Sequence, residues 1–274
     1  MLRDRIFSAA ILLLIFLASY LSDNPTYFLF LNFVASGILF YELAKILKLK
    51  SLSLAIYWIL SFTPVIFFYL LVAFNKGFIG EFLVNFSIFM SFVSVIFWFT
   101  LAPIDIFYKK ISSNAKLKIF YGYFMIAPMS IVTSYIFIDN KNALLLIFLM
   151  IWVSDIGAYF FGKRFGKNKL AKNISPGKTI EGAVGGLVSN IIIVFSLFYF
   201  GFSDLPFLLI FAIVITGLSI YGDIYQSFLK RQAKVKDSGT ILPGHGGLFD
   251  RLDSFCPSIP LSFLILFYYV SYLV

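Results

Sequence analysis

Between Ser227 and Asp253 the chain places five basic residues, three aspartates, four glycines and its only histidine within 27 positions. Most of the remaining sequence is apolar, and a dense polar island in such a chain marks a functional site. Just upstream, Asp223, Ser227 and Lys230 fall at i, i+4 and i+7, on one face of a helix. Downstream, Asp250 and Asp253 are spaced i, i+3, with Arg251 between them pointing elsewhere. Hard oxygen donors without cysteine or clustered histidine suit Mg²⁺. The loop Leu242-Pro243-Gly244-His245-Gly246-Gly247 sets three glycines around His245, a backbone that can approach a ligand closely.

A second polar segment runs from Trp152 to Gly182. Asp155 lies inside an apolar run, with Tyr159 one turn on. A carboxylate there needs a hydrogen-bonding partner, a metal or water. Ser175-Pro176 reads as an N-cap followed by proline at the first helical position. Lys178 and Thr179 would then stand in the first turn, where free N–H groups and the helix dipole favour an anion. Glu181, three residues after Lys178, could orient it. Gly177-Lys178-Thr179 is not a P-loop: the required glycine five positions earlier is Lys172, and no strand precedes it.

The elements that must position these residues are membrane spans. Hydrophobic residues make up 61% of the chain and charged residues 13%, against roughly 45–50% and 25% in a soluble domain. Nine apolar runs are expected as helices, near 6–21, 27–44, 52–73, 82–101, 117–138, 143–162, 180–200, 206–228 and 258–274. The first follows Met-Leu-Arg-Asp-Arg without a convincing cleavage site and reads as a retained span. With the N-terminus in the cytoplasm, only Lys76 and Lys141 of the 22 Lys and Arg fall outside, a strong positive-inside bias. The expectation is an all-α, polytopic integral membrane protein of one domain over 1–274. Its first spans, about 1–140, would be scaffold, and 150–274 would carry a polar site facing the cytoplasm. The net charge of +9 suits anionic headgroups and anionic soluble substrates. Nucleic acid is a poor partner, since the basic residues sit in short loops between spans. Cys256 stands alone, which excludes an internal disulfide and a cysteine-based metal site.

On these residues the chain resembles the phosphatidate cytidylyltransferases, or CDP-diacylglycerol synthases. The likeness lies in Ser227-x-Leu229-Lys230-Arg231, then Lys236-Asp237-Ser238-Gly239, then Pro243-Gly244-His245-Gly246-Gly247-Leu248-x-Asp250-Arg251-Leu252-Asp253. Gly222-Asp223 and Ser175-Pro-x-Lys178-Thr179-x-Glu181-Gly182 extend it. One departure is Gln226, where that family usually carries an acid. The resemblance implies an enzyme of the cell membrane, active on its cytoplasmic side, that joins CTP and phosphatidate into CDP-diacylglycerol and pyrophosphate. It implies a homodimer and a funnel-like polar cavity open to cytoplasm and bilayer. It also implies a metal pair of Mg²⁺ with K⁺, held by aspartates matching Asp223 and Asp250.

The candidate catalytic residues are therefore Asp223, Lys236, Asp237, His245, Asp250, Arg251 and Asp253. The candidate phosphate- and substrate-binding residues are Ser175, Lys178, Thr179, Glu181, Ser227, Lys230, Arg231, Gly246 and Gly247. His245 would donate a hydrogen bond to a phosphate in preference to a proton to pyrophosphate. On the residues alone a CTP-dependent kinase of a lipid alcohol remains the alternative. A transporter is disfavoured: the polar residues gather on one side of the membrane, and no repeat is visible.

Overall fold

The computed structural model describes residues 2–74, 77–111, 114–201, 204–242 and 246–273. His245, with Pro243 and Gly244, lies outside the described residues. The chain is built of helices: α1 (Leu2–Leu21), α2 (Thr26–Leu47), α3 (Ser51–Ser61), α4 (Thr63–Ala73), α5 (Gly77–Ile96), α6 (Ala102–Tyr108), α7 (Ala115–Phe165), α8 (Ile180–Tyr199), α9 (Leu205–Ala233), α10 (Phe249–Leu252) and α11 (Phe255–Leu273). Among the described residues, seven helical stretches are long and apolar enough to cross a membrane. The protein is thus an all-α, multi-pass membrane protein.

The longest helix resolves the difference between seven stretches and nine expected spans. At ~1.5 Å per residue, α7 would extend about 76 Å, more than twice a ~30 Å hydrocarbon layer. It breaks at Asn140, whose φ of −150° and ψ of 86° are not helical. The Asn140 side chain accepts from the Ala143 amide at 3.0 Å and caps the second half of the helix. The two halves lie side by side. Adjacent residues of α11 touch both: Phe255 meets the Phe148 ring at 5.0 Å, and Cys256 Sγ lies 3.8 Å from Met129 Sδ. Two of the expected spans are therefore this hairpin. The first expected span is α1, whose apolar part is Ala10–Leu21.

Two local features depart from the expected spans. A turn of π-helix at Phe97–Leu101 joins α5 to α6, next to Pro103, which lacks the N–H that a regular helix would use. A short antiparallel hairpin, β1 (Lys169–Ala171) with β2 (Ser175–Thr179), links α7 to α8. Half of its strand residues are exposed while Thr179 is buried, and it leaves the helical architecture unchanged.

The second half of α7 and α8 pack almost backbone to backbone. A Cβ added at Gly182 would sit 2.8 Å from the Ala158 carbonyl, and one at Gly186 would sit 2.8 Å from the Ser154 carbonyl. Small residues at such a seam let helices approach where lipid offers no hydrophobic drive for association. This seam fixes Asp155 on α7 against the start of α8, where Lys178 arrives.

Gly186→Val should lower the thermal midpoint in detergent, at a cost of about 1–3 kcal/mol from overpacking. Gly217→Ala, where an added methyl meets nothing within 4 Å, should not.

Candidate functional site

Polar residues from both sequence segments, with Asp223, line one cavity of about 690 Å³. One arm is largely apolar, walled by Leu12 and Phe16 of α1, Phe28 and Leu31 of α2, and Phe148 and Trp152 of α7, with Asn32 and Thr133 as polar exceptions. The other end is lined by Asp155, Lys178, Asp223, Lys230, Asp250, Arg251 and Asp253. A second cleft, of about 400 Å³, opens between the end of α7, β2, the start of α8 and α9. Tyr159, Lys163, Ser175, Gly177 and Thr179 line it. Lys178 and Asp223 belong to the walls of both spaces.

Lys178 is the meeting point of one charge cluster. Its ammonium pairs with Asp223 of α9. Burial works against its charge. The attraction of Asp223, with Asp155 and Asp253 adding to it, outweighs that burial and holds the lysine pKa above its ordinary value. Asp223 also accepts from Ser227 Oγ at 3.3 Å, one turn along α9. Asp155 is fastened by Ser219 Oγ at 2.6 Å and Ser254 Oγ at 3.1 Å, so it ties α7 to α9 and to the head of α11. Asp223 thus contacts the cation, and Asp155 and Asp253, from two other parts of the chain, add their attraction.

Asp250 forms a separate cluster. Its Oδ1 accepts from Lys230 Nζ at 2.6 Å and from Gln226 Nε2 at 3.2 Å. Its Oδ2 accepts from the backbone amides of Ser238 at 2.8 Å and Gly247 at 3.1 Å. The aspartate therefore closes the neck of the loop that runs from Ser238 to Gly247. Gln226, the departure noted in the sequence, takes part as a donor. Asp250 and Asp253 both line the cavity, but they serve different clusters.

A second carboxylate closes the same neck. Glu42 of α2 is 1% exposed. It accepts from Ser238 Oγ at 2.8 Å, the Leu248 amide at 3.1 Å and the Phe249 amide at 2.8 Å. Sequence reasoning missed it. The available signal was a lone acid inside an apolar span, Phe40-Tyr41-Glu42-Leu43, the same signal that singles out Asp155. Asp105 is a further buried acid that was passed over. It accepts from Tyr225 Oη at 2.8 Å, away from the cavity lining.

Several expected roles change. Ser175 is not a helix cap: it begins β2, and α8 starts only at Ile180. Thr179 is the N-cap, extended at φ −128° and ψ 156°, and its hydroxyl accepts from the Gly182 amide at 3.0 Å. The hairpin keeps Ser175 to Thr179 extended, so Lys178 precedes the helix and is not in its first turn. Glu181 does not orient Lys178. It turns to the hairpin, accepting from the Lys167 amide at 3.0 Å and the Asn168 side chain at 2.8 Å. Arg231 folds back on the end of α9, donating to the Val235 carbonyl at 3.2 Å. Lys236 and Asp237 are exposed on the run into the loop. Gly246 adopts φ +86°, and an added Cβ there would sit 2.8 Å from Asp250 Oδ2. Gly247 is pressed against Ser238 and Glu42. The described glycines of the motif thus make room for the protein's own carboxylates.

The sequence model of the Cytidylyltransferase family matches residues 3–269. Among similar proteins, a phosphatidate cytidylyltransferase of Staphylococcus haemolyticus is 45% identical over 130 residues, 47% of this chain and 50% of that protein. One from Staphylococcus aureus is 43% identical over 131 residues, covering 47% and 50%. One from Haemophilus influenzae is 39% identical over 132 residues, covering 46% and 45%. The chain spans about half the length of the relatives it matches.

Asp250→Ala should cost about 3–5 kcal/mol in unfolding measured in detergent, because it strands the buried Lys230 ammonium. Lys230→Met should cost less, since Asp250 keeps Gln226 and two amide donors.

Proposed function

Because the chain belongs to the cytidylyltransferase family, we propose that it transfers the cytidylyl group of CTP to phosphatidate, giving CDP-diacylglycerol and pyrophosphate. The observation that carries this reading is the two-ended cavity: an apolar arm continuous with a floor of three cations and four carboxylates. A phospholipid with a bare phosphate has that shape. The acyl chains would lie along α1, α2 and α7, and the phosphate would meet Lys178, Lys230 and Arg251. The nucleotide would enter from the second cleft, on whose shared wall Lys178 and Asp223 stand. With the lysine-rich loops facing the cytoplasm, that cleft opens to the cytoplasm as well.

The chemistry asks little of a base. A phosphate monoester is already largely doubly ionised near neutral pH. One of its oxygens attacks the α-phosphorus of CTP. A new P–O bond forms to the lipid phosphate, the bond to the β-phosphate bridging oxygen breaks, and pyrophosphate leaves with that electron pair. The difficulty is bringing two polyanions together. Lys178 can touch both, and Arg251 can hold two phosphate oxygens at once. Ser227 and Thr179 keep Asp223 and the start of α8 in place.

Mg²⁺ fits the donors at Lys178, which are hard oxygens. Among the described residues no group of three His, Cys, Asp or Glu forms a ready cage, so the triphosphate would supply further ligands. Asp223 would hold the ion, with Asp250 as the second carboxylate and K⁺ as a companion. When bound, such an ion neutralises phosphate charge and orients the triphosphate. A homodimer in the bilayer belongs to the same reading.

The test uses detergent-purified protein, phosphatidate, Mg²⁺ and CTP labelled at the α-phosphate. Label should pass to the lipid with release of pyrophosphate, and chelation of divalent cations should stop it. Asp223→Asn should reduce the rate at least about 10²-fold, the scale for a lost charge partner at a transferring phosphate. Transfer of γ-label to a lipid alcohol, or no transfer to any lipid, would overturn the reading.

A further inference from the structure

We propose that Glu42 is a positioning residue for the transfer step, acting through the Ser238–Phe249 segment without touching either substrate. The inference rests on the cytidylyl-transfer reading for its rate effects, though not for its structural content. Glu42 comes from α2, 196 residues before Ser238 in the chain. It fastens both ends of the loop at once, Ser238 on one strand of the neck and Leu248 and Phe249 on the other. Its donors are a hydroxyl and two amides, so its charge is spent inside the protein. Asp250 independently holds the same two strands through the Ser238 and Gly247 amides. Removing Glu42 therefore leaves the loop attached but free to tilt.

Two glycines are shaped to this carboxylate. A Cβ at Gly239 would sit 2.5 Å from Glu42 Oε1, and its three nearest atoms would all belong to Glu42. Gly247 would meet both carboxylate oxygens at 2.5 Å. The glycine pattern of the motif is thus explained in part by an acid that the motif does not contain. Two turns before Glu42, the same helix carries Ala35, and further back Leu31 and Phe28, all on the cavity's apolar arm. A rigid helix therefore runs from the proposed lipid wall to the loop that frames the charged floor.

Asp250 lies within the segment that Glu42 grips, and a shift of about 1 Å at a reacting centre can cost roughly 10²-fold in rate. Glu42→Gln keeps the shape but replaces one acceptor oxygen with a donor. It should lower kcat at least about tenfold while KM for CTP and for phosphatidate each stay within about threefold, the pattern of an interaction expressed in the transition state. Hydrogen exchange on the same protein should speed up at the Leu248 and Phe249 amides. Glu42→Asp and Gly239→Ala should each slow turnover. The double variant should be no slower than the worse single, because the shorter acid vacates the space the new methyl needs.

An unchanged kcat in Glu42→Gln, a rise confined to one KM, or additive effects of the two singles would each overturn the proposal. If the unaltered protein transfers no label, the transfer reading fails. The exchange rates then decide on their own whether Glu42 holds the loop: acceleration at Leu248 and Phe249 supports it, and unchanged rates sink it.

Discussion

A carboxylate buried in a membrane protein must have its acceptors filled, and that requirement organises this molecule. Burying an unpaired charge costs several kcal/mol or more, so each such group recruits donors from wherever the chain can bring them. Glu42 and Asp250 each recruit both strands of one loop neck. Asp155 recruits hydroxyls from α9 and from the head of α11. Asp223 recruits Lys178 from the strand before α8. The helices could slide past one another through their apolar contacts alone. These four acids fix the register, because a hydrogen bond, unlike an apolar contact, is lost within about half an ångström.

The same groups give the cavity its two characters. Mostly apolar side chains of α1, α2 and α7 line one arm, where Asn32 is satisfied within the protein by Ser130 and Ser134. The acids and their cations collect at the other end because their partners come from helix ends and loops, where lysine and free amides are available. Lysines also cap α2, α6 and α9 in the left-handed conformation at Lys48, Lys109 and Lys234, each beside the negative end of a helix dipole.

Much of this was legible in the sequence, for physical reasons that differ by feature. The spans were, because a run of apolar residues has few alternatives to a helix in lipid. The break in α7 was, because Asp139-Asn140-Lys141-Asn142 interrupts that run. The gathering of Lys178, Asp223, Asp250 and Asp253 was expected from polar residues near the same ends of neighbouring spans, whereas Asp155 was read only as a carboxylate in need of a partner. The short hairpin was not foreseen, since five residues of β2 carry no periodicity to read. It moved the cap of α8 from Ser175 to Thr179 and redirected Glu181. Glu42 was missed because its partners are mostly amides, and backbone donors leave no mark in the sequence. Asp250 was read as a catalytic residue and metal ligand, and its grip on two amides was hidden for the same reason.

The resting charge of the floor bears on how two anions could react there. Asp155, Asp223, Asp250 and Asp253 face Lys178, Lys230 and Arg251, a formal excess of one negative charge. On the cytidylyl-transfer reading, the lysines must leave their aspartates for the incoming phosphates, and the aspartates then need a new cation. On that same reading Asp223 and Asp250 would hold a divalent ion, which would offset the charge the lysines give up. The ion pairs at Lys178 and Lys230 thus keep each acid satisfied before the substrates arrive and each base available once they do. The exchange stays local because Asp155 keeps Ser219, Asp250 keeps Gln226 and Glu42 keeps the Phe249 amide, bonds that do not involve either lysine.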